Sequence, residues 1–192
     1  MKKLFFYILG ILVVIQTYNL PALDSIQEYK DERDHAFVAD LIERNKDNFT
    51  DADLFPDFVS KKLTVQLPVP EELTQQFPKG ISMPIEKQSV FVYCIDTKPV
   101  GFVRTWFVHN HVPVSFKSGL IAQVAVVEEH QNKGYGRKLL SYAIEDLKLQ
   151  GASGISLGSL KHNTRAHKLY ESLGFFQAAE LPDGQLIFML QA

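Results

Sequence analysis

The sequence predicts a single domain of mixed α/β structure, and three observations support this fold class. Short apolar runs rich in β-branched and aromatic residues alternate with segments whose apolar residues recur at helical spacing. The chain has 192 residues, a length that fits one domain. Its hydrophobic content of 46% is sufficient for a sizeable core. We therefore expect one globular α/β domain.

The first predicted elements lie between residues 26 and 84. A short strand over residues 26–30 precedes a helix that opens with acidic residues at 31–34, where the helix dipole favours negative charge. The apolar face of this helix has helical spacing and consists of Phe37, Val38, Leu41 and Ile42. A second helix, interrupted by Pro56, is predicted over residues 53–63. The proline-rich residues 67–84 are predicted to form an irregular connection, where binding loops often lie.

The middle of the chain is predicted to supply three strands. Two β-rich runs, at residues 89–95 and 99–108, flank the turn residues Asp96-Thr97-Lys98, and this pattern is typical of a hairpin. The next run, residues 121–127, is apolar on both faces, which favours a central position in the sheet.

The last third is predicted to be helix, strand, helix and two closing strands. The first helix ends at Gln150 before Gly151, and its inward face consists of Leu139, Leu140, Ala143, Ile144 and Leu147. A strand follows at residues 155–160. Asn163 or Thr164 can cap the next helix, on which Ala166, Leu169, Tyr170 and Leu173 share a face and after which Gly174 is the stop. The closing strands are predicted at residues 175–176 and 186–190.

The N-terminal segment has the composition of a leader rather than of the domain. Two lysines precede an apolar run at residues 4–15, which is the shape of a signal peptide. The run is shorter than the ~20 residues of a membrane-spanning helix, although an extension to Leu20 brings it close. The residues near Ala22 form a poor cleavage site. We expect residues 1–22 to be a signal peptide or an uncleaved membrane anchor, with membrane contact through residues 4–20, and the domain to occupy residues 23–192. A soluble, buried N-terminal helix is the alternative.

Composition narrows the classes of function. The net charge of −2 argues against a dedicated nucleic-acid binder. The single cysteine, Cys94, lies in an apolar run and is expected to be a buried structural thiol. The charge is unevenly distributed: residues 24–60 hold eleven acids and four bases, whereas residues 117–170 hold eight bases and four acids. The basic half suits a phosphorylated ligand, and the acidic half either favours a cationic co-substrate or is a solvated face.

The most informative local feature is the loop after the central strand. Its residues 131–136, Gln-Asn-Lys-Gly-Tyr-Gly, lead from a buried strand into an amphipathic helix. Glycines let the backbone approach a ligand, and the first-turn amides of a helix are ready donors for an anion. An ordinary strand–loop–helix connection is the alternative interpretation. No G-x-x-x-x-G-K-[ST] string occurs, and Leu139 stands where a dinucleotide fingerprint needs a third glycine.

A second motif makes the loop more specific. The loop resembles the acetyl-CoA pyrophosphate motif Q/R-x-x-G-x-G/A of the GCN5-related N-acetyltransferases (GNAT). Residues 163–175 resemble the second signature of the same family, N-x-x-A-x-x-x-Y-x-x-x-G-F. The two motifs stand in the family's order, separated by one helix and one strand, and the resemblance covers roughly residues 26–190. It implies a mixed, mostly antiparallel central sheet flanked by helices, with acetyl-CoA as co-substrate and no metal.

The resemblance also implies roles for particular residues. Backbone groups of the strand before the loop would bind pantetheine, and the loop amides would cradle the pyrophosphate. The residues implied in cofactor binding are Val124, Ala125, Val126, Gln131, Asn132, Lys133, Gly134, Tyr135, Gly136, Arg137 and Asn163. Tyr170 matches the tyrosine that protonates the departing CoA thiolate. Its place on an apolar helix face also allows a packing role.

Several points stay open at this level. Glu128 stands where many relatives have proline, and Glu128 and Glu129 are interpreted as surface charges rather than as a base that acts through water. The general base is unassigned, and the histidines are interpreted as surface or loop residues.

The expected function is acetyl transfer to a small-molecule or peptide amine by direct attack. The alternatives are another acyl-CoA transferase or a non-catalytic acyl-CoA-binding module, exported or membrane-anchored. Acetyl-CoA use favours the cytoplasm, whereas the N-terminal segment favours export.

Overall fold

The computed structural model describes residues 24–48, 64–67, 81–110 and 116–192. The predicted leader or anchor at residues 1–22 and the predicted helix at residues 53–63 lie outside the described residues, and both stay predictions. In the part of the chain that the structure describes, none of the helices has the length and apolar character needed to cross a membrane.

The described residues form eight strands, three α-helices and two 3₁₀ turns. The strands are β1 (Asp24–Glu28), β2 (Thr64–Leu67), β3 (Ile81–Ile95), β4 (Lys98–Asn110), β5 (Phe116–Val126), β6 (Gly154–Leu160), β7 (Phe176–Glu180) and β8 (Gln185–Gln191). The helices are α1 (Asp31–Arg44), α2 (Tyr135–Leu149) and α3 (Thr164–Glu171), and the 3₁₀ turns are Lys46–Asn48 and Glu128–His130. The predicted order of strands and helices is confirmed in these ranges except for β2, which was not predicted.

Seven strands form one sheet in the order β1-β3-β4-β5-β6-β8-β7, and β2 pairs with the beginning of β3. All of these pairs are antiparallel except β5 with β6, which is parallel. The expected mixed, mostly antiparallel sheet is therefore observed. The irregular connection predicted at residues 67–84 is wrong at both ends, because Leu67 pairs with Ile81 and the two ends form a short β-ladder. Pro84 pairs with Thr64 in this ladder. A proline is tolerated there because it lies near the beginning of β3, where a missing backbone donor costs little.

The hairpin between β3 and β4 has a two-residue turn. Ile95 pairs with Lys98, and Asp96 and Thr97 between them have φ values of 47° and 69°. Positive φ at both central residues matches the twist of the flanking strands, which is why two-residue hairpins favour it. The predicted hairpin is confirmed.

Helices cover both faces of the sheet because alternate residues of each strand point to opposite sides. On one face, α1 packs through Val38, Leu41 and Ile42 against a core that includes Val90, Val92, Cys94, Phe102 and Ala125. On the other face, α2 packs through Leu139, Leu140, Ala143, Ile144 and Leu147, the residues predicted for its inward side. Cys94 is buried as expected, and burial raises the pKa of its thiol.

The parallel pair at the centre of the sheet is short. Residues 118–121 of β5 pair with residues 154–157 of β6, and the two strands then part. Beyond this point β5 stays paired with β4, and β6 stays paired with β8. The register of β4 and β5 also shifts at Ala122, since Arg104 pairs with Gln123 and Thr105 with Ile121. A bulge of this kind bends its strand, and here it lies where the sheet opens.

Two glycines in the sheet differ in the space available to a side chain, and this difference gives a prediction for stability. A Cβ on Gly101 would lie 2.8 Å from the carbonyl oxygen of Ala125, whereas a Cβ on Gly154 would lie 3.9 Å from its nearest neighbour, the Leu190 carbonyl oxygen. Gly101→Ala is expected to lower the free energy of unfolding by about 1–3 kcal/mol through overpacking. Gly154→Ala is the control, and it is expected to be neutral or to stabilise by up to ~1 kcal/mol.

Urea unfolding followed by circular dichroism measures both variants. Each substitution removes the same backbone freedom from the unfolded chain, so the difference between the two reports the contact at Gly101. Equal midpoints for the two variants would contradict the packing described here.

Candidate active site

A cleft of about 560 Å³ opens where β5 and β6 part. This volume lies in the range of small-molecule sites. Its walls come from the carboxyl-terminal halves of the two strands, the loop before α2, and the beginnings of α2 and α3. The polar and charged residues that line the cleft are Asn45, Gln123, His130, Gln131, Asn132, Arg137, Ser159, Asn163, Arg165, Tyr170 and Gln185.

One wall of the cleft is an open strand edge. The Val127 amide donates to the Val100 carbonyl at 2.9 Å, so the polar backbone groups of Val127 and Ala125 point toward β4. Because these directions alternate along a strand, the backbone groups of Val124 and Val126 point toward the cleft. The three strand residues expected to bind the cofactor, Val124, Ala125 and Val126, all border the cleft. Val124 and Val126 present backbone hydrogen-bonding groups to it.

The second wall is the beginning of α2. Asn132 and Gly134 have φ values of 61° and 85°, which turn the loop sharply into the helix. The first helical hydrogen bond runs from the Lys138 amide to the Gly134 carbonyl at 3.1 Å. The amides of residues 135–137 precede this bond, and such first-turn donors have no acceptor within a helix. Together with the helix dipole they form an anion site.

Two arginines add positive charge at this end. Arg137 and Arg165 both line the cleft, and no aspartate or glutamate does so in the described ranges. Arg137 donates from Nη2 to the Ser172 Oγ at 2.7 Å and thereby holds α2 against the end of α3. Arg165 donates from Nη1 to Gln131 Oε1 at 3.0 Å. Basic residues at a helix N-terminus favour a phosphorylated ligand.

The loop residues expected to bind the cofactor have side chains with different contacts in the structure. Gln131 is already engaged, because its Nε2 donates to the Val126 carbonyl at 3.0 Å while its Oε1 accepts from Arg165. The Tyr135 ring packs on the Tyr93 ring with centroids 4.9 Å apart, so its side chain belongs to the core. Lys133 and Tyr135 are the two expected cofactor-binding residues that do not line the cleft.

Asn163 lies at the beginning of α3 and has the capping role that was predicted. Its Oδ1 accepts from the Ala166 amide at 3.4 Å, and the residue lines the cleft. The cap fixes where α3 begins, and α3 in turn places Tyr170 two turns further along.

Tyr170 borders the cleft from an apolar setting. It is 6% exposed, and its ring lies 5.5 Å from the Phe188 ring and 6.3 Å from the Phe175 ring between centroids. Burial raises the pKa of Tyr170 to about 12, and the adjacent Ser159 side chain offsets part of that rise. The hydroxyl is therefore protonated at neutral pH and available as a donor. Tyr170 therefore packs against aromatic residues of the core and also borders the cleft.

The turn before the loop holds three residues that are interpreted from the sequence as surface or loop residues. Glu128 and Glu129 form an exposed 3₁₀ turn, as interpreted. His130, interpreted as a surface or loop residue, lines the cleft with its Nδ1 buried, because the turn that holds it folds back beside Tyr135. Among the described residues, no cluster of three or more histidine, cysteine or acidic side chains could hold a metal ion.

Besides His130, the polar cleft-lining residues that motif reasoning missed are Asn45, Gln123, Ser159, Arg165 and Gln185. The basic bias of residues 117–170 was a signal for Arg165. Gln123, Ser159 and Gln185 lie on β5, β6 and β8, and the sheet order brings them together. Asn45 directly follows α1.

The fold and the cleft together define an α/β protein with an open cleft, lined by two arginines, at a splayed sheet. The chain matches the sequence model of the Acetyltransferase (GNAT) family over residues 57–175, and it belongs to that family.

Curated relatives match over shorter segments. The yeast (Saccharomyces cerevisiae) N-alpha-acetyltransferase 40 is 33% identical over 94 residues, which is 45% of this chain and 32% of the relative. The [Ribosomal protein bS18]-alanine N-acetyltransferase of Escherichia coli K12 is 40% identical over 55 residues, 29% of this chain and 37% of the relative. The matches thus span well under half of these relatives' length.

Solved structures share the fold over most of the chain. A putative GNAT acetyltransferase from Desulfovibrio desulfuricans has a TM-score of 0.62 at 17% identity, covering 88% of this chain and 99% of that one. The ribosomal-protein-S18-alanine N-acetyltransferase of Escherichia coli has a TM-score of 0.56 at 21% identity, covering 88% and 94%. The NatC complex bound to Gag peptide and CoA has a TM-score of 0.59 at 17% identity, covering 88% and 98%.

Proposed function

We propose that this protein is an N-acetyltransferase that moves the acetyl group of acetyl-CoA to a primary amine by direct attack in a ternary complex. The observation that carries the proposal is the arrangement of one cleft. It joins an open strand edge, a helix N-terminus with orphan amides, and a buried, protonated tyrosine. Membership of the GNAT family supports the same activity.

In the proposed complex, acetyl-CoA would lie along the cleft from the strand edge to the beginning of α2. The backbone groups of Val124 and Val126 would hydrogen-bond the amides of pantetheine along the strand edge. The amides between Lys133 and Arg137 would bind the pyrophosphate, with Arg137 and Arg165 adding charge. Charge-assisted hydrogen bonds of this kind are the strong ones. Gln131, Asn132 and Asn163 would hold the loop and the beginning of α3 around the ligand.

The chemistry follows from the groups at the other end of the cleft. The neutral amine attacks the thioester carbon, the C–N bond forms, and the C–S bond breaks with its electron pair on sulfur. Tyr170 donates a proton to that sulfur, which a positioned acid can accelerate by about 10²–10⁴-fold. The nitrogen releases one proton as the amide forms, so protons balance overall.

The acceptor that we propose is the α-amino group of a peptide or protein. Two relatives are named for acting on such groups, the yeast N-alpha-acetyltransferase and the ribosomal-protein-alanine acetyltransferase. An α-amino group has a pKa of about 7.7–8.0, so roughly a tenth is neutral at pH 7, against less than about one in a thousand for lysine. Asn45, Gln123 and Gln185 border the cleft, and amide side chains both donate to and accept from a peptide backbone.

The cofactor assignment can be tested with two matched glycines. Gly134 and Gly184 have φ values of 85° and 83°, and a Cβ at either meets no described atom within 4 Å. Gly134→Asp would place a carboxylate beside the pyrophosphate and is expected to weaken acetyl-CoA binding by on the order of 100-fold or more. Gly184→Asp imposes the same backbone strain in the β7–β8 turn and should keep the affinity. Isothermal titration calorimetry with acetyl-CoA measures both, and equal affinities would sink the assignment of the loop.

The role of Tyr170 is tested by Tyr170→Phe. The ring and its contacts with Phe188 remain, but the proton donor is lost, so kcat should fall by about 10²–10⁴-fold while acetyl-CoA affinity is kept. Tyr142→Phe, at an exposed position of α2, is the control and should behave as wild type. Full turnover in Tyr170→Phe would reduce Tyr170 to a packing residue.

The acceptor class is tested with two peptides of one sequence. The first has a free N-terminus and no lysine, and the second has a blocked N-terminus and one lysine. Because the neutral fraction differs by a factor of several hundred at pH 7, kcat/KM is expected to favour the first peptide by at least about 100-fold. Release of free CoA thiol and mass spectrometry of the peptide measure the reaction. A preference for the lysine peptide would overturn the proposed acceptor class.

A further inference from the structure

Ser159 is a hydroxyl in an otherwise apolar row. It lies on β6 with Ile155 and Leu157, the alternate residues whose side chains enter the core on the α2 and α3 face. Ser159 is 5% exposed, and within the described residues its Oγ is buried without a hydrogen-bond partner. A buried hydroxyl left without a partner destabilises the fold, so its presence calls for a physical reason.

The neighbour of Ser159 is Tyr170. Both residues border the cleft at the point where β6 has left β5. The Ser159 side chain is the group that lowers the pKa of Tyr170 against the effect of burial, although the two hydroxyls do not meet the geometry of a hydrogen bond. A serine hydroxyl rotates freely about its side-chain bond and is both donor and acceptor. Across β6 and β8, Leu157 pairs with Phe188 and Ser159 pairs with Leu186, so Ser159 lies on the sheet face that carries Phe188, against which the Tyr170 ring packs. A change in the Ser159 side-chain torsion would bring its Oγ within hydrogen-bond reach of the Tyr170 oxygen.

We propose that Ser159 is a positioning residue that donates its hydroxyl proton to the Tyr170 oxygen and so directs the Tyr170 proton at the departing sulfur. The inference rests on the proposed function, in which Tyr170 protonates the thiolate. As the C–S bond breaks, the electron pair moves to sulfur and the Tyr170 proton follows it. The negative charge left on the Tyr170 oxygen is then stabilised by the Ser159 O–H. The proton released by nitrogen passes through solvent to the phenolate and restores the Tyr170 hydroxyl, so protons balance over the cycle.

The chemistry explains why such a partner is useful. Burial holds the pKa of Tyr170 at about 12, whereas a free thiol has a pKa of about 8.5. Full proton transfer from tyrosine to thiolate is unfavourable across that gap. A hydroxyl that donates to the phenolic oxygen stabilises the phenolate without exposing Tyr170 to water, and it orients the Tyr170 O–H into the cleft.

The test compares Ser159→Ala and Ser159→Thr with Ser156→Ala, which makes the same change on the same strand at a residue that does not line the cleft. Ser159→Ala is expected to lower kcat about tenfold at saturating acetyl-CoA, with KM and calorimetric affinity for acetyl-CoA unchanged. Ser159→Thr restores the hydroxyl and should recover most of the rate. Ser156→Ala should match wild type. Urea unfolding should find Ser159→Ala no less stable than wild type, since an unsatisfied hydroxyl is removed.

A double-mutant cycle separates this proposal from the proposed function. If Ser159 acts through Tyr170, Ser159→Ala should have no further effect on kcat in the Tyr170→Phe background. The positioning role is overturned if Ser159→Ala turns over like wild type, or if its loss is equally large in both backgrounds. It is also overturned if the threonine variant fails to recover the rate. Full activity of Tyr170→Phe alone would instead overturn the catalytic role of Tyr170 in the proposed function.

Discussion

The site depends on the short length over which β5 and β6 are paired. Four residues of each strand pair, and each strand then keeps only its other neighbour. Backbone groups in a protein interior must be paired, so a strand that loses its partner needs another one. Here the Gln131 side chain satisfies the Val126 carbonyl, and the remaining polar edge faces the cleft. The opening therefore creates a row of hydrogen-bonding groups whose natural partner is another extended chain, such as pantetheine.

The walls of this opening are held in place by contacts outside it. The Lys138 ammonium donates to the Asp24 carboxylate and the Tyr93 hydroxyl, at 2.8 and 2.9 Å, and so fixes the first turn of α2 to β1 and β3. Arg137 joins the same turn to α3 through Ser172. The first-turn amides of α2 are the proposed donors to the phosphates. These surface contacts therefore fix the position and direction of those amides. An anion site of this kind depends on rigid placement as much as on charge.

Local pattern was enough to predict most elements and both motifs, because apolar spacing and turn residues act over a few positions. The hairpin at Asp96 and Thr97, the cap at Asn163 and the inward face of α2 are examples. What could not be predicted depends on register between distant strands. The pairing of Leu67 with Ile81 and the meeting of Gln123, Ser159 and Gln185 in one cleft are set by sheet order, to which no local signal corresponds. Gln131 is intermediate: its motif position was predicted, but not its bridge between Val126 and Arg165.

The setting of Tyr170 poses a physical conflict that the cleft has to resolve. Packing against Phe175 and Phe188 fixes the ring and excludes water, which favours chemistry on a thioester because competing hydrolysis is suppressed. The same burial makes the phenol a weaker acid, since a buried phenolate is poorly solvated. A polar neighbour inside the apolar shell reconciles the two demands. The remaining inward residues of β6, Ile155 and Leu157, are aliphatic, and the Ser159 Oγ has no partner among the described residues. The hydroxyl is therefore better explained by stabilisation of the charged form of Tyr170 than by a contact in the resting fold.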